Sequence, residues 1–175
     1  MHRAIISFFV AVAASSFGLA QPISKTPAEA EATIGGKTIA VKYKALSANG
    51  RTIFGGAGAL LRPNTVWRAG AGSSPTTLYT NAALKLGGLA VPPGQYTLFV
   101  LLDPNGWQLI VSKEKGAAAQ VYHKDQDLGR VAMTTAHPST PVETMKFSVN
   151  AAGGNTGTLQ LEWADVAASV PFAVQ

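Results

Sequence analysis

Residues Gly50 to Ser74 bring positively charged and aromatic side chains together between glycines, in a chain that otherwise follows a β-strand pattern. Arg51 and Arg68 can each hold a carboxylate or a phosphate through two parallel hydrogen bonds, because the guanidinium is planar. The neighbouring Trp67 offers a flat apolar face on which a sugar ring can stack. We therefore predict that Arg51, Trp67 and Arg68, joined by Tyr43, are the binding residues.

The same two arginines also fit a structural role. An arginine among glycine-rich turns often binds loop carbonyl groups, or it pairs with a carboxylate such as Glu143 or Glu162. The solvent exposure of Arg51 and Arg68 distinguishes these alternatives. Side chains that are buried and bonded belong to the architecture, whereas side chains that line an open groove form a site.

Catalytic motifs are weak in this sequence. His123 lies close to Asp125 and Asp127, and a histidine among carboxylates suits metal binding or general acid–base catalysis. Asp125 and Asp127, or Glu143 and Glu162, could also pair as the acid and base of a glycosidase. There is no cysteine, no G-x-S-x-G nucleophile motif and no phosphate-binding glycine loop. We therefore predict no catalytic residue, no metal ligand and no cofactor.

The basic residues are not concentrated in any one segment. The chain has 14 Lys and Arg against 9 Asp and Glu, with a formal net charge of +5. Nucleic-acid binding would need a cationic stripe, and the sequence contains none. We therefore do not expect a nucleic-acid partner.

The first residues have the pattern of a secretory signal peptide. A basic start with Arg3 precedes an apolar run from Ala4 to Ala14, and the small residues Gly18 and Ala20 predict cleavage after Ala20. A membrane anchor is the alternative, but the run is shorter than the roughly 20 apolar residues that span a bilayer. The mature protein is therefore expected to be exported, soluble and free of membrane insertion, in the periplasm or outside the cell.

Short alternating segments between glycine or proline turns predict an all-β fold. After a signal peptide at 1–20 and a flexible leader at 21–30, a single domain at 31–175 is expected to form an antiparallel β-sandwich, or a partly open barrel, of about eight to ten short strands. Gly35-Gly36 and Gly87-Gly88 predict two-residue hairpins. Pro171 predicts that the last strand lies at a sheet edge or begins beyond a bulge.

Several short motifs follow one another in order along the chain. They are GRTIFGG at 50–56, VWRAGA at 66–71, VPPGQYTLF at 91–99, WQLIV at 107–111, DLGRV at 127–131, Val142-Glu143 and LEW at 161–163. With these motifs the chain resembles a bacterial exported family known only as a domain of unknown function, DUF2911, from about Thr33 to Phe172. The resemblance implies an extracytoplasmic β-rich domain without an established activity, substrate or cofactor.

Three functions remain open from the sequence. The favoured one is a non-catalytic binding or structural module of the cell envelope, with a glycan or a carboxylate-bearing small molecule as ligand. The alternative is an extracytoplasmic hydrolase that acts on envelope sugars or esters. A protein–protein module is the third, and it would show an exposed apolar patch or a free sheet edge.

Overall fold

The computed structural model describes residues 25–175, where thirteen β-strands and two short 3-10 helices follow one another. The strands are β1 (Lys25–Ile34), β2 (Lys37–Leu46), β3 (Val66–Trp67), β4 (Thr77–Thr80), β5 (Leu84–Leu86), β6 (Leu89–Val91), β7 (Gly94–Leu101), β8 (Gln108–Ser112), β9 (Asp127–Ala132), β10 (Thr134–Ala136), β11 (Val142–Gly153), β12 (Thr156–Ala164) and β13 (Val166–Val174). The 3-10 helices are Ala118–Gln120 and Lys124–Gln126. The predicted signal peptide lies outside the described residues. Within them, no helix has the length and apolar character needed to cross a membrane.

The strands form two antiparallel sheets. The first sheet has the order β1-β2-β4-β7-β8-β9, with β3 paired to β7. The second sheet has the order β11-β12-β13-β5-β6, with β10 paired to β13. Inward-facing side chains of both sheets share one hydrophobic core. The predicted all-β antiparallel sandwich is therefore confirmed.

Both predicted glycine hairpins are present. Gly35 and Gly36 have φ angles of 57° and 72°, and they join β1 to β2 between the paired residues Ile34 and Lys37. Two successive positive φ angles define the turn whose twist matches that of the flanking strands. Gly87 and Gly88 join β5 to β6 in the same way. The turn chemistry therefore fixes the register of both hairpins.

The first strand begins earlier than the sequence predicts. Residues 25–30 belong to β1 and pair with β2, starting at Lys25 opposite Leu46, so the predicted leader is wrong for this stretch. Ala28, Ala30 and Ala32 alternate toward the core, where they are half-buried. Alanine has a weak β-propensity, so the alternation of these alanines does not by itself predict a strand. Pairing with β2 is what makes this segment a strand.

Pro171 lies in an internal strand, not at an edge. β13 pairs with β12 on one side and with β10 and β5 on the other. The partners of β10 end at Ser169 and those of β5 begin at Phe172, so Pro171 occupies the gap between them. Its carbonyl accepts a hydrogen bond from the Gly87 N–H across this gap. The missing N–H of proline therefore costs no ladder hydrogen bond.

Gly157 on β12 marks a close approach between elements of the two sheets. A Cβ atom at this position would lie 2.5 Å from Phe172 Cζ, 2.8 Å from Ile34 Cδ1 and 2.9 Å from the Asn150 carbonyl oxygen. Phe172 belongs to the second sheet and Ile34 to the first. Only a residue without a side chain therefore allows these two apolar side chains to meet.

Gly157→Ala is expected to destabilise the fold by about 1–3 kcal/mol, because the added methyl group overpacks the core. Chemical denaturation monitored by circular dichroism measures the change. Gly56→Ala is the matched control, since no atom lies within 4 Å of a Cβ built there, and its effect should stay within about 0.5 kcal/mol. Equal stability of the two variants would contradict this account of the packing.

Candidate functional site

The segment between β2 and β3 folds back on itself. The Leu60 N–H donates to the Thr52 carbonyl at 3.0 Å, and the Leu61 N–H donates to the Ile53 carbonyl at 2.8 Å. Phe54 and Leu61 also form an isolated bridge. The glycine-rich segment is therefore a closed loop with its own hydrogen bonds, and this loop positions the Phe54 ring.

Phe54 packs among three tryptophans. Its ring centroid lies 4.8 Å from Trp107, 5.9 Å from Trp163 and 6.1 Å from Trp67. Trp67 on the first sheet and Trp163 on the second are stacked at 5.7 Å. Trp67 is only 8% exposed, so most of the face predicted to receive a sugar ring is occupied by other rings.

A strained turn after β3 directs Trp67 inward and Arg68 outward. Ala69 is fully buried with a φ angle of 51°, and the Thr76 hydroxyl donates to its carbonyl at 2.9 Å. A Cβ atom at Gly70 would lie 2.7 Å from the same hydroxyl oxygen. The motif VWRAGA therefore encodes a compact turn, which leaves the Arg68 side chain partly exposed.

Arg51 has a structural role at the corner between the sheets. Its Nε donates to the Ala48 carbonyl at 2.8 Å, and its Nη2 donates to the Ser47 carbonyl at 2.7 Å. Glu143 on β11 accepts a hydrogen bond from the Asn49 N–H at 2.8 Å. Arg51 therefore holds the turn that joins the end of β2 to β11, as in the structural alternative drawn from the sequence.

Tyr43 lies apart from the other predicted residues. It is 9% exposed, and its ring packs against Phe147 with the centroids 5.2 Å apart. Its remaining surface borders an open depression on the first sheet, between Lys42 and Lys44. Of the four residues predicted to bind, the structure brings only Trp67 and Arg68 to the same depression.

That second depression, which we call the Arg62–Arg68 groove, has a volume of about 330 Å³. Its lining includes Leu60, Arg62, Thr65, Val66, Trp67 and Arg68. Arg62 was not predicted from the sequence. Arg62 and Arg68 form no ion pair within residues 25–175.

Apolar side chains flank this groove. Leu60 is 45% exposed and borders it directly. Arg68 Nη1 donates to the Gln120 carbonyl at 3.2 Å, and the next residue, Val121, is 62% exposed. The arrangement therefore combines two unneutralised guanidinium groups with apolar surface on either side of Arg68.

A polar cluster on the outer face of the first sheet was missed by the sequence reasoning. Asp127 Oδ2 accepts hydrogen bonds from the Tyr122 hydroxyl and from Arg130 Nε, each at 2.9 Å. Arg130 also donates to the Tyr122 hydroxyl. No signal in the sequence predicts this cluster, because residues i and i+3 of a regular strand face opposite sides.

This cluster holds the segment that precedes β9 against the first sheet. The Tyr122 ring packs against buried Phe99 at 5.2 Å. Burial, followed by the hydrogen bond to Asp127, raises the pKa of Tyr122, so its hydroxyl stays protonated. The hydrogen bond to Asp127 is also the main cause of the raised pKa of Arg130. We read the cluster as structural, because Tyr122, Arg130 and Asp127 Oδ2 bond one another. Asp127 Oδ1 is buried and has no hydrogen-bond partner among the described residues.

The two histidines have separate partners. His123 Nδ1 lies 2.7 Å from Glu114 Oε2, and this hydrogen bond raises the pKa of His123. His137 Nδ1 lies 2.7 Å from the Asp165 carbonyl oxygen. In the described part of the chain, no three His, Asp or Glu side chains are grouped as metal ligands.

The carboxylates considered for acid–base catalysis are also engaged. Glu162 pairs with Lys146 at 3.0 Å, and Asp125 accepts a hydrogen bond from Gln126 at 3.0 Å. Glu143 binds the Asn49 N–H. None of these three carboxylates borders the Arg62–Arg68 groove.

Arg51 and Arg68 should differ sharply when each is changed to Gln. Arg51→Gln removes two hydrogen bonds to carbonyls in a partly buried corner, so a loss of about 1–3 kcal/mol is expected. Arg68→Gln removes one long hydrogen bond at an exposed position and should change stability by less than about 0.5 kcal/mol. Chemical denaturation measures both. A larger loss for Arg68→Gln would reverse the assignment of the two roles.

Comparison with known proteins identifies a family for most of this chain. No curated protein matches it, and no solved structure matches it. The model of the family described as "Protein of unknown function (DUF2911)" matches residues 25–172. This range contains all of the ordered motifs that indicated the resemblance, together with the aromatic cluster and the Arg62–Arg68 groove. The chain therefore belongs to the DUF2911 family.

Proposed function

We propose that this protein is a non-catalytic binding module whose ligand carries a carboxylate beside an apolar group. One observation carries the proposal: two arginines without an ion-pair partner in residues 25–175 line one groove with apolar walls. A guanidinium offers five N–H donors in a fork that matches the two oxygens of a carboxylate. Such a ligand would satisfy both the charge and the hydrogen-bonding capacity of the site.

The apolar side of the groove supports the second half of the proposal. Leu60 and Val66 lie beside the arginines, and the edge of Trp67 completes this wall. A volume of about 330 Å³ is at the small end of ligand pockets. An acyl chain or a hydrophobic side chain next to the carboxylate would therefore fit better than a large ligand.

The lining chemistry favours binding over turnover. The groove is bordered by no Asp, Glu, His or Ser. Its one hydroxyl, on Thr65, donates to the Arg62 carbonyl at 2.6 Å. A hydrolase needs a nucleophile or a general base close to the bound substrate. No observation at this groove supports the hydrolase alternative.

Octanoate is a suitable probe, and Trp67 provides a fluorescence readout because it borders the groove. We expect octanoate to bind more tightly than acetate, which lacks the chain, and than octanol, which lacks the charge. Arg62→Gln and Arg68→Gln should each weaken octanoate binding by roughly tenfold, or about 1.4 kcal/mol. Titration of the tryptophan fluorescence measures these affinities.

Lys37→Gln is the matched control for loss of one positive charge. Lys37 begins β2, whereas Gly70 and Ala71, which follow Arg68 closely in the chain, lie against Lys44 farther along the same strand. A rise of about 3.3 Å per residue separates Lys37 from Lys44 by about 23 Å. Binding that falls equally in Lys37→Gln and Arg68→Gln, or that does not distinguish octanoate from octanol, would contradict the proposed site.

Export to the cell envelope is part of the proposal and is supported by the sequence of the first 20 residues. Expression of the full chain with its leader in a bacterial host should yield a product that starts at Gln21 outside the cytoplasm. Cell fractionation followed by intact-mass measurement tests this. A product that retains Met1 and stays in the cytoplasm would refute export, and Ala20→Leu should block cleavage because a small residue is required there.

A further inference from the structure

The outer face of the first sheet is covered over only part of its width. Above β7 and β8, Phe99 and Ile110 are buried beneath the segment before β9, whose Tyr122 ring packs against Phe99. Above β2 and β4, by contrast, Lys42 and Tyr79 are exposed. The uncovered part is therefore an open sheet surface with its own set of side chains.

Tyr79 stands at the centre of this open surface. It is 45% exposed, whereas every other Phe, Tyr and Trp in 25–175 is buried or half-buried. The strand register places Ala40 on one side of it and Gln95 on the other. Its hydroxyl forms no hydrogen bond with another described residue. The ring and its hydroxyl are therefore both available to a ligand.

Lysines border two depressions, one on each side of β4, the strand that carries Tyr79. Lys42 and Lys44 on β2 border an open depression of about 380 Å³, together with Pro27, Glu29 and Pro75. On the other side, Lys113 and Lys115 border a smaller depression of about 150 Å³ beside Gln95.

Only one of these lysines forms an ion pair within residues 25–175. Lys42 pairs with Glu29 at 3.4 Å, whereas Lys44, Lys113 and Lys115 form no ion pair there. Glu31 lies opposite Ala40 on β1, and Glu114 lies between Lys113 and Lys115 in the chain, where it pairs with His123. Lys44, Lys113 and Lys115 remain as cationic groups without an ion-pair partner among the described residues.

We propose that this surface, the Tyr79 platform (Lys42, Lys44, Tyr79, Gln95, Lys113 and Lys115), binds an acidic oligosaccharide. The apolar face of a sugar ring would stack on Tyr79, and sugar carboxylates would bind the unpaired lysines on either side. Gln95 and the Tyr79 hydroxyl would bind sugar hydroxyl groups. This site lies on other elements than the Arg62–Arg68 groove and does not depend on it.

A sugar suits this surface better than a protein partner does. Protein interfaces have a desolvated apolar centre several side chains wide. In residues 25–175 the large exposed apolar side chains are Leu60, Tyr79 and Val121, and Tyr79 is the only one of them on this face. A single ring between charged and amide groups matches the alternating apolar and polar surface of a sugar chain.

Calorimetric titration with a hexamer of galacturonic acid tests the proposal, with the neutral hexamer of glucose as the reference ligand. We expect the acidic hexamer to bind and the neutral one to bind more weakly. Tyr79→Ala should reduce affinity for the acidic hexamer by roughly three- to tenfold, whereas Tyr79→Phe should retain most of it. Lys44→Gln should also weaken binding, most clearly at low salt.

Lys85→Gln is the control, because Lys85 is an exposed lysine on the second sheet. Poly-glutamate separates sugar recognition from general attraction between opposite charges. The proposal is overturned if the acidic hexamer does not bind, if Tyr79→Ala binds it as well as the unchanged protein does, or if poly-glutamate binds as tightly and loses as much affinity in Tyr79→Ala. Binding of a polypeptide in place of the sugar would assign the face to a protein partner and would also reject it.

Discussion

The packing of Phe54 among Trp67, Trp107 and Trp163 is the interaction on which the rest of this structure depends. Trp67 comes from the first sheet and Trp163 from the second, so the stacked pair joins the two layers directly. Phe54 comes from the loop between β2 and β3, and its contacts bind that loop to both sheets. Rings of this size bury large areas and favour tilted or edge-on contacts, which gives the cluster a defined geometry.

The position of the Arg62–Arg68 groove follows from this cluster. Once Trp67 is held inward, the left-handed turn at Ala69 leaves the preceding Arg68 facing solvent. The loop anchored by Phe54 brings Leu60 and Arg62 to the same depression. Arg51, near the start of the same loop, instead donates hydrogen bonds to carbonyl groups at the sheet corner. One segment thus contains both an architectural arginine and two arginines that form no ion pair within residues 25–175.

The two proposed binding surfaces are built from different parts of the fold. A β-sandwich buries its apolar side chains between the sheets, so ligand chemistry must come from loops or from outward-facing residues. The Arg62–Arg68 groove is built by a loop, whereas the Tyr79 platform is built by the alternation of β2 and β4 on the outer face of the first sheet. The segment before β9 leaves that part of the face uncovered.

The fold class and both glycine hairpins could be predicted from the sequence, because period-two alternation and positive φ angles are local properties. The family could be predicted because its short motifs follow one another in order along the chain. The roles of Arg51, Trp67 and Arg68 could not, since sequence neighbours with similar chemistry separate according to which face of a turn they occupy. Arg62 and Tyr79 were missed for the same reason: nothing in their neighbourhood distinguishes an exposed side chain from a covered one. Burial is decided by residues distant in the chain, such as Trp163 packing against Trp67, and only the tertiary structure brings those residues together.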